Sequence, residues 1–345
     1  SKERLSEEEA YRLYDLDLFT LAKFAHQKRT ALHGKKVYFN INRHINPTNI
    51  CADTCKFCAF SAHRKNPNPY LMSHEEILNI VADTQKRGTK EVHIVSAHNK
   101  DTTWQWYLEI FQKIKQNYPQ IHIKALTAAE IDFIHRRWGL SYEEVIEKML
   151  EYGVDSMPGG GAEIFDEEIR AKICKGKVSS ENWLKIHKIW HQKARQSNAT
   201  MLYGHIEKRE HRIDHMLRLR ALQDETGGFN AFIPLVWQKD NSFLDVKEQL
   251  DSEEILKTIA ISRLVLDNIK NIKAYWATMS LKLAMVAQEF GANDLDGTIE
   301  KESIQSAGGA KSARGTSLQT FIELIKTSNL IPVERDSLYN ELKIY

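Results

Sequence analysis

Three of the four cysteines of the chain lie close together, in the stretch NICADTCKFCAF over residues 49–60. Cys51, Cys55 and Cys58 have the spacing C-x₃-C-x₂-C, whereas Cys174 lies far along the chain. Thiolates are soft ligands that bind zinc, copper or iron–sulfur clusters. A triplet of this kind is therefore typical of a metal site or of redox chemistry, and not of a disulfide framework.

Two kinds of metal site are compatible with three clustered thiols. Structural zinc takes four ligands, and His63 could complete a Cys₃His set. A [4Fe–4S] cluster is ordinarily held by four cysteines, so three thiolates would leave one iron open to a substrate or cofactor. We expect Cys174, in the stretch RAKICKGK, to be a small buried or surface residue and not a fourth ligand.

Segments typical of strands and helices alternate over residues 36–298, in about seven or eight units. This alternation predicts an α/β protein with a parallel sheet and right-handed crossovers. The number of units favours a (β/α)₈ TIM-type barrel, with a doubly wound open sheet as the alternative. Several predicted strands carry polar residues, which indicate a site at the barrel mouth: Asn40, Asn42, Lys124, Thr127, Asn198 and Thr200.

The same pattern divides the chain into three parts. Residues 1–35 are expected to form an N-terminal helical extension, residues 36–300 the barrel, and residues 301–345 a C-terminal helical cap packed on it. The cysteine triplet follows the first predicted strand directly. It therefore lies in the first βα loop, at the face where barrel enzymes carry their active sites.

Composition excludes some other classes of function. The 345 residues carry a net charge of +2, from 48 basic and 46 acidic residues, without the basic stripe of a nucleic-acid-binding protein. No apolar run reaches the roughly 18 residues of a membrane span. The N-terminal residues are charged and do not resemble a secretory signal. We therefore expect a cytoplasmic protein that binds neither nucleic acid nor membrane.

The cysteine triplet, with the aromatic Phe57 directly before Cys58, resembles the signature of the radical S-adenosylmethionine (SAM) enzymes. The resemblance implies that Cys51, Cys55 and Cys58 hold a [4Fe–4S] cluster whose open iron binds SAM. It also implies that an electron, from a donor such as flavodoxin or ferredoxin, cleaves SAM to methionine and a 5′-deoxyadenosyl radical.

Further stretches are similar to the radical SAM enzymes of the futalosine route to menaquinone, above all to those that make aminofutalosine. They are NINRHINPTNIC, HIKALTAAEI, DSMPGGGAEIF, SNATMLYGHIE, HRIDHMLRLRALQDETGGFNAFIPL, FGANDLDGT and PVERDSLYNEL. This resemblance implies addition of the radical to 3-[(1-carboxyvinyl)oxy]benzoate, with rearrangement and decarboxylation, to give 6-amino-6-deoxyfutalosine. SAM would be consumed as a co-substrate. The related cyclase acting on dehypoxanthine futalosine and the deazaflavin-pathway synthase, which begin with hydrogen abstraction, stay open as alternatives.

The resemblance also assigns cofactor-binding residues by position. Ser96 and Ala97 stand where a glycine-rich motif usually binds the methionyl amino group through backbone atoms. Glu163, after the fourth strand, is implied to bind the ribose hydroxyls. The fifth-strand motif G-x-I-x-G-x-x-E is matched apart from its first residue, which implies adenine contacts by Thr200, Leu202 and Gly204.

The implied substrate carries two carboxylates and an apolar ring, so its site needs hydrogen-bond donors and apolar walls. We expect His205, beside Gly204 at the end of the fifth strand, to be catalytic and to anchor the substrate. The alternative for Glu130 is a charge that stabilises the first turn of a helix, and the alternative for Arg64 is solvent exposure. The residues that we expect to bind the substrate are His44, Arg64, Thr127 and Glu130.

Overall fold

The computed structural model describes residues 4–62, 68–300, 304–307, 309–311 and 315–345. Two residues named above, His63 and Arg64, lie outside the described residues. None of the helices in the described part of the chain has the length and apolar composition that a membrane span requires.

Short parallel strands form the centre of the molecule. Strands β2, β3 and β4 pair in that order, β5, β6 and β7 form a second group, and β1 pairs with β8. The strands are β1 (Lys36–Asn40), β2 (Asn42–Ile45), β3 (Glu91–Ile94), β4 (His122–Ala125), β5 (Ser197–Tyr203), β6 (Phe229–Val236), β7 (Asn271–Ile272) and β8 (Asp294–Gly297).

Isolated parallel bridges close these groups into a ring: Lys124–Ser156, Met157–Ser197 and Lys273–Asp294. The segment around Ser156 and Met157 thus takes the place of the fourth barrel strand, while β1 and β2 together form the first. The predicted (β/α)₈ barrel is confirmed, and the open doubly wound sheet is excluded, because an open sheet would leave β1 and β8 at opposite edges.

Helices surround the ring and begin at side-chain caps. Ser73, Thr127 and Ser141 each start a helix with a capping box, in which a glutamate three residues later bonds back to the cap. The longer helices after the first strand are α3 (His74–Lys86), α4 (Trp104–Asn117), α5 (Ala128–Trp138), α6 (Tyr142–Glu151), α7 (Glu167–Ile173), α8 (Ser180–Gln192), α9 (Arg209–Thr226) and α10 (Ser252–Val265). Shorter ones follow: α11 (Trp276–Met279), α12 (Leu281–Val286) and α13 (Ile304–Ala307).

The N-terminal extension consists of two helices, α1 (Glu7–Arg12) and α2 (Leu18–His33), separated by a 3₁₀ turn. The break occurs where Asp17 caps α2 by accepting a hydrogen bond from the Thr20 N–H. α2 packs on α10, so the extension covers the outside of the barrel.

The C-terminal part contains the expected helix, α14 (Leu318–Thr327), and two strands that we did not predict, β9 (Ile331–Arg335) and β10 (Glu341–Ile344). β9 pairs in parallel with β1, and β10 pairs antiparallel with β9. The sequence concealed β9 because proline, here Pro332, argues against a strand. Arg335 of β9 donates two hydrogen bonds to Asp294 of β8, at 2.5 and 3.1 Å. The three-part division of the chain stays a prediction.

Candidate functional site

A cavity of about 280 Å³ opens at the face of the barrel where the parallel strands end. Most of the residues singled out from the sequence line it. They are His44, Cys51, Cys55, Phe57, Cys58, Ser96, Ala97, Thr127, Glu163, Thr200 and Leu202. The structure therefore brings the three thiols together with the implied cofactor and substrate residues in one enclosure.

The three thiols lie on one loop between β2 and α3, and we call its described residues, 46–62 and 68–73, the cysteine loop. Backbone hydrogen bonds fix it to neighbouring loops: Ala52 N–H to His98 O (2.9 Å), Lys56 N–H to Ile173 O (2.8 Å), and Phe243 N–H to Lys56 O (2.7 Å). The backbone N–H of His98 also donates to Cys51 Sγ at 3.4 Å. Donors of this kind stabilise a thiolate over a thiol.

Burial raises the pKa of both Cys51 and Cys55. Buried thiols of this kind ionise when a metal cation compensates the charge, so the site suits metal binding and not free thiol chemistry. Among the described residues Cys174 is the remaining cysteine; it is buried at the end of α7 and does not line the cavity. The donor set therefore fits a cluster with three protein ligands.

Asp53 and His98 lie beside Cys51, and one ligand atom of each of these three residues lies within 4.8 Å of the others. The Nδ1 of His98 is 2.7 Å from the Asp53 carboxylate, and its ring stacks on Phe133 at 4.9 Å. The pair thus holds the cysteine loop against the loop after β3. Sequence reasoning missed both residues, because the pairing joins two loops distant in the chain.

Glu130 does not line the cavity; it positions residues that do. Its carboxylate accepts hydrogen bonds from the Thr127 N–H (2.7 Å) and the Ser96 N–H (2.8 Å). Burial raises its pKa, although these hydrogen bonds oppose the shift. Glu130 therefore ties the Ser96–Ala97 loop to the start of α5, and the substrate-binding role that we expected of it stays a prediction.

Glu163 lines the cavity with a left-handed backbone conformation (φ 44°) and pairs with Lys177, whose Nζ lies 3.0 Å from its carboxylate. Lys177 also lies 5.4 Å from the ring centre of Phe57. Burial alone would lower the pKa of Lys177, but the charges of Glu163, Cys55 and Cys174 together outweigh it and raise the pKa, so the ammonium stays charged. No sequence pattern links Lys177 to Glu163, and we did not predict it.

Gly204 and His205 lie outside the cavity lining. The chain turns at Gly204 (φ 94°), where a Cβ would lie 2.6 Å from Leu250. The backbone N–H groups of Gly204 and His205 donate to Glu207, at 2.6 and 2.8 Å. The turn therefore requires a glycine at position 204, and the expected adenine contact stays a prediction.

The side chain of His205 is fully buried. Its Nε2 lies 2.8 Å from Leu202 O and its Nδ1 lies 3.2 Å from the Glu207 carboxylate. Burial lowers its pKa. His205 therefore lies beside the cavity lining and not in it, and its catalytic role stays a prediction.

Two family descriptions match the chain: the radical SAM superfamily over residues 45–219, and the CofH/MqnC C-terminal region over residues 226–344. The aminodeoxyfutalosine synthase of Thermus thermophilus is 41% identical, over 99% of this chain and 93% of the relative. That of Streptomyces coelicolor is 36% identical, over 100% and 92%. The 5-amino-6-(D-ribitylamino)uracil–L-tyrosine 4-hydroxyphenyl transferase of Archaeoglobus fulgidus is 38% identical, over 93% of both chains.

Solved structures share the fold. Methylornithine synthase (PylB) superposes with a TM-score of 0.74 at 17% identity, over 96% of this chain and 94% of the other. The hydrogenase maturase HydG of Carboxydothermus hydrogenoformans gives 0.76 at 17% identity, over 98% and 78%. At this identity the two structures support the barrel and nothing about the reaction.

The contacts of Glu130 give a prediction with a matched control. Glu130→Ala should weaken the binding of SAM, the cofactor that the resemblance implies, by about tenfold or more, because hydrogen bonds to a charged group contribute about 1.5–3 kcal/mol. Glu144, whose side chain is exposed, occupies the same capping-box position on α6. Glu144→Ala should leave SAM binding unchanged. Equal SAM affinities of the two variants, measured by equilibrium dialysis, would refute the positioning role.

Proposed function

The chain belongs to the radical SAM superfamily, and on this premise we propose that it catalyses the step that forms aminodeoxyfutalosine in menaquinone biosynthesis. It joins the 5′-deoxyadenosyl group of SAM to 3-[(1-carboxyvinyl)oxy]benzoate, with rearrangement and decarboxylation, to give 6-amino-6-deoxyfutalosine and methionine. The observation that carries the proposal is 41% identity to a synthase of this name over nearly the full length of both chains. The cavity supplies a place for both reactants.

We infer that Cys51, Cys55 and Cys58 hold a [4Fe–4S] cluster, because these three thiols on one loop line the cavity and Cys174 does not. When bound, the cluster supplies the electron that cleaves SAM. The loop of Ser96 and Ala97 presents backbone atoms to the methionyl end of SAM. The ion pair of Glu163 and Lys177 offers both an acceptor and a donor beside the thiols.

The other wall of the cavity is largely apolar. Leu202, Ile233, Leu235 and Trp237 line it from β5, β6 and the loop after β6. An apolar wall excludes water from the reacting groups and packs against the arene ring of the proposed substrate. The apolar wall thus packs against the arene ring of the substrate, and polar groups elsewhere in the cavity set the orientation of the substrate.

Metal analysis of protein purified without oxygen tests the cofactor. We expect about four irons with matching sulfide per chain. Cys51→Ala, Cys55→Ala and Cys58→Ala should each lose the iron together with SAM cleavage, since each removes a third of the protein ligands. Cys174→Ala is the control and should retain both. One zinc per chain in colourless protein would instead establish the Cys₃His alternative.

Product analysis tests the reaction. Incubation with SAM, a reductant and 3-[(1-carboxyvinyl)oxy]benzoate should give a product that contains the adenosyl group, with less free 5′-deoxyadenosine than methionine. Mass spectrometry of the product with adenine-labelled SAM measures this directly. Stoichiometric release of 5′-deoxyadenosine without an adenosyl product would favour the hydrogen-abstracting relatives instead.

We also infer where the electron donor binds. The backbone N–H of Lys56, between Cys55 and Cys58, bonds to the end of α7. Three lysines are exposed there, next to the cysteine loop: Lys56, Lys172 and Lys175. Flavodoxins and ferredoxins are small acidic proteins, and complementary charge steers such partners toward a basic surface.

Charge reversal tests this surface. The double variant Lys172→Glu/Lys175→Glu should reduce turnover driven by a flavodoxin by about tenfold at low salt, because it reverses the steering potential. Turnover with dithionite, which needs no docking, should not change. Lys326 is an exposed residue of α14, and Lys326→Glu is the control. It should change neither the turnover with flavodoxin nor the turnover with dithionite. An equal loss with both reductants would show that the lysines support the fold and not the donor.

A further inference from the structure

The inner end of the cavity, opposite the thiols, carries ionisable side chains that the cluster and SAM do not use. We call this set the floor cluster: His44, Glu91, His93, Lys124, Lys273 and Asp296, all of which line the cavity. Lys124 Nζ lies 3.1 Å from the Glu91 carboxylate, and Lys273 Nζ lies 2.7 Å from Asp296 Oδ1. The two lysine side chains are only 4% and 3% exposed.

Strand register makes the floor cluster a single unit. His44, His93 and Lys124 are neighbours at one level of β2, β3 and β4. The imidazole rings of His44 and His93 stack with 4.4 Å between their centres. Lys273 follows β7 elsewhere in the ring, and its side chain lines the same cavity as that of Lys124. Burial, followed by the charge of Lys273, lowers the pKa of Lys124.

The arrangement is costly for a part of the core. Buried ion pairs often stabilise a fold less than apolar residues of similar volume, because both charges lose their hydration. Asp296 also has a left-handed backbone conformation (φ 74°), which is uncommon for a residue other than glycine. Buried charges and a strained residue that meet in a cavity indicate a binding role.

Each lysine has hydrogen-bond donors to spare. An ammonium group has three N–H donors, whereas within the described residues each of these two side chains has one carboxylate partner. Glu91 is also held by the Ser337 hydroxyl (2.5 Å) and the Asn42 amide (3.4 Å), so it stays in place when Lys124 takes another partner. The remaining N–H groups can therefore bind an additional carboxylate.

We propose that Lys124 and Lys273 bind the ring carboxylate of the substrate, an inference that rests on the proposed function. The enol-ether end must approach SAM beside the thiols, since reacting atoms have to lie about 3–3.5 Å apart. The ring carboxylate lies at the other end of the molecule, and the floor cluster lies at the other end of the cavity. The arene then stands between the histidine pair and the apolar wall.

A pair of substrates tests the contact. The enzyme is assayed with 3-[(1-carboxyvinyl)oxy]benzoate and with the analogue that lacks the ring carboxylate, and kcat/KM is compared. We expect the native enzyme to prefer the benzoate by about 100-fold, as loss of two charged hydrogen bonds would give. In Lys124→Gln and Lys273→Gln the preference should fall below about fivefold, mainly through a higher KM for the benzoate.

A ratio of two substrates separates binding from folding, because a variant that is merely unstable loses both activities equally and keeps its preference. The double variant Lys273→Gln/Asp296→Asn removes the pair without leaving an unpaired charge, and it should lose the preference as well. Lys115→Gln breaks a half-buried ion pair with Asp155 outside the cavity and should keep it.

The outcomes distinguish the two proposals. If the native enzyme makes no adenosyl product from the benzoate, the proposed function is wrong and the inference falls with it. If it makes that product but uses both substrates equally well, or if the lysine variants keep the native preference, the inference alone is wrong and the floor cluster is a polar layer of the barrel.

Discussion

The cysteine loop contains no helix or strand among its described residues. Main-chain hydrogen bonds to neighbouring segments hold it in position. The bonds from Ala52 to His98 and from Lys56 to Ile173 and Phe243 join it to the ends of three different strand–helix units. A long loop without regular structure is ordinarily mobile. Here the barrel strands fix the partner loops, and those loops in turn fix the three thiols.

The same dependence explains the role of Glu130. Its carboxylate receives the N–H of Ser96, and the carbonyl of His98, two residues further on, receives the N–H of Ala52. A single buried residue at the start of α5 therefore orders the loop after β3, which orders the cysteine loop. The thiols and the implied SAM-binding atoms are consequently parts of one hydrogen-bonded unit. A substitution that displaces either loop is therefore expected to displace the other.

The barrel fold and the grouping of the three thiols could be predicted from the sequence, because alternating segments and a short cysteine spacing are local features. Contacts between segments that are distant in the chain could not be predicted in this way. Lys124 was recognised as a polar residue within a strand, but its partner Glu91 lies on a different strand. His205 was assigned to the substrate because it follows β5, yet its buried side chain lies near Glu207 and outside the cavity lining. The strand β9 was missed because its pairing with β1 joins the two ends of the chain.

The floor cluster has nearly equal positive and negative charge, and this affects how it selects a substrate. Its two lysines face two carboxylates, so it has little net charge and attracts an anion weakly from a distance. Recognition there must come from direction, because the unused N–H groups point along fixed lines from ammonium groups that are themselves held by ion pairs. Such donors bind a carboxylate at one position on the ring more tightly than they bind an anion at another position. The thiol end cannot make this distinction, since its chemistry is common to the superfamily. Two relatives of this chain, at 41% and 38% identity, have different names. We therefore expect that the residues which select the substrate differ in the part of the cavity remote from the thiols.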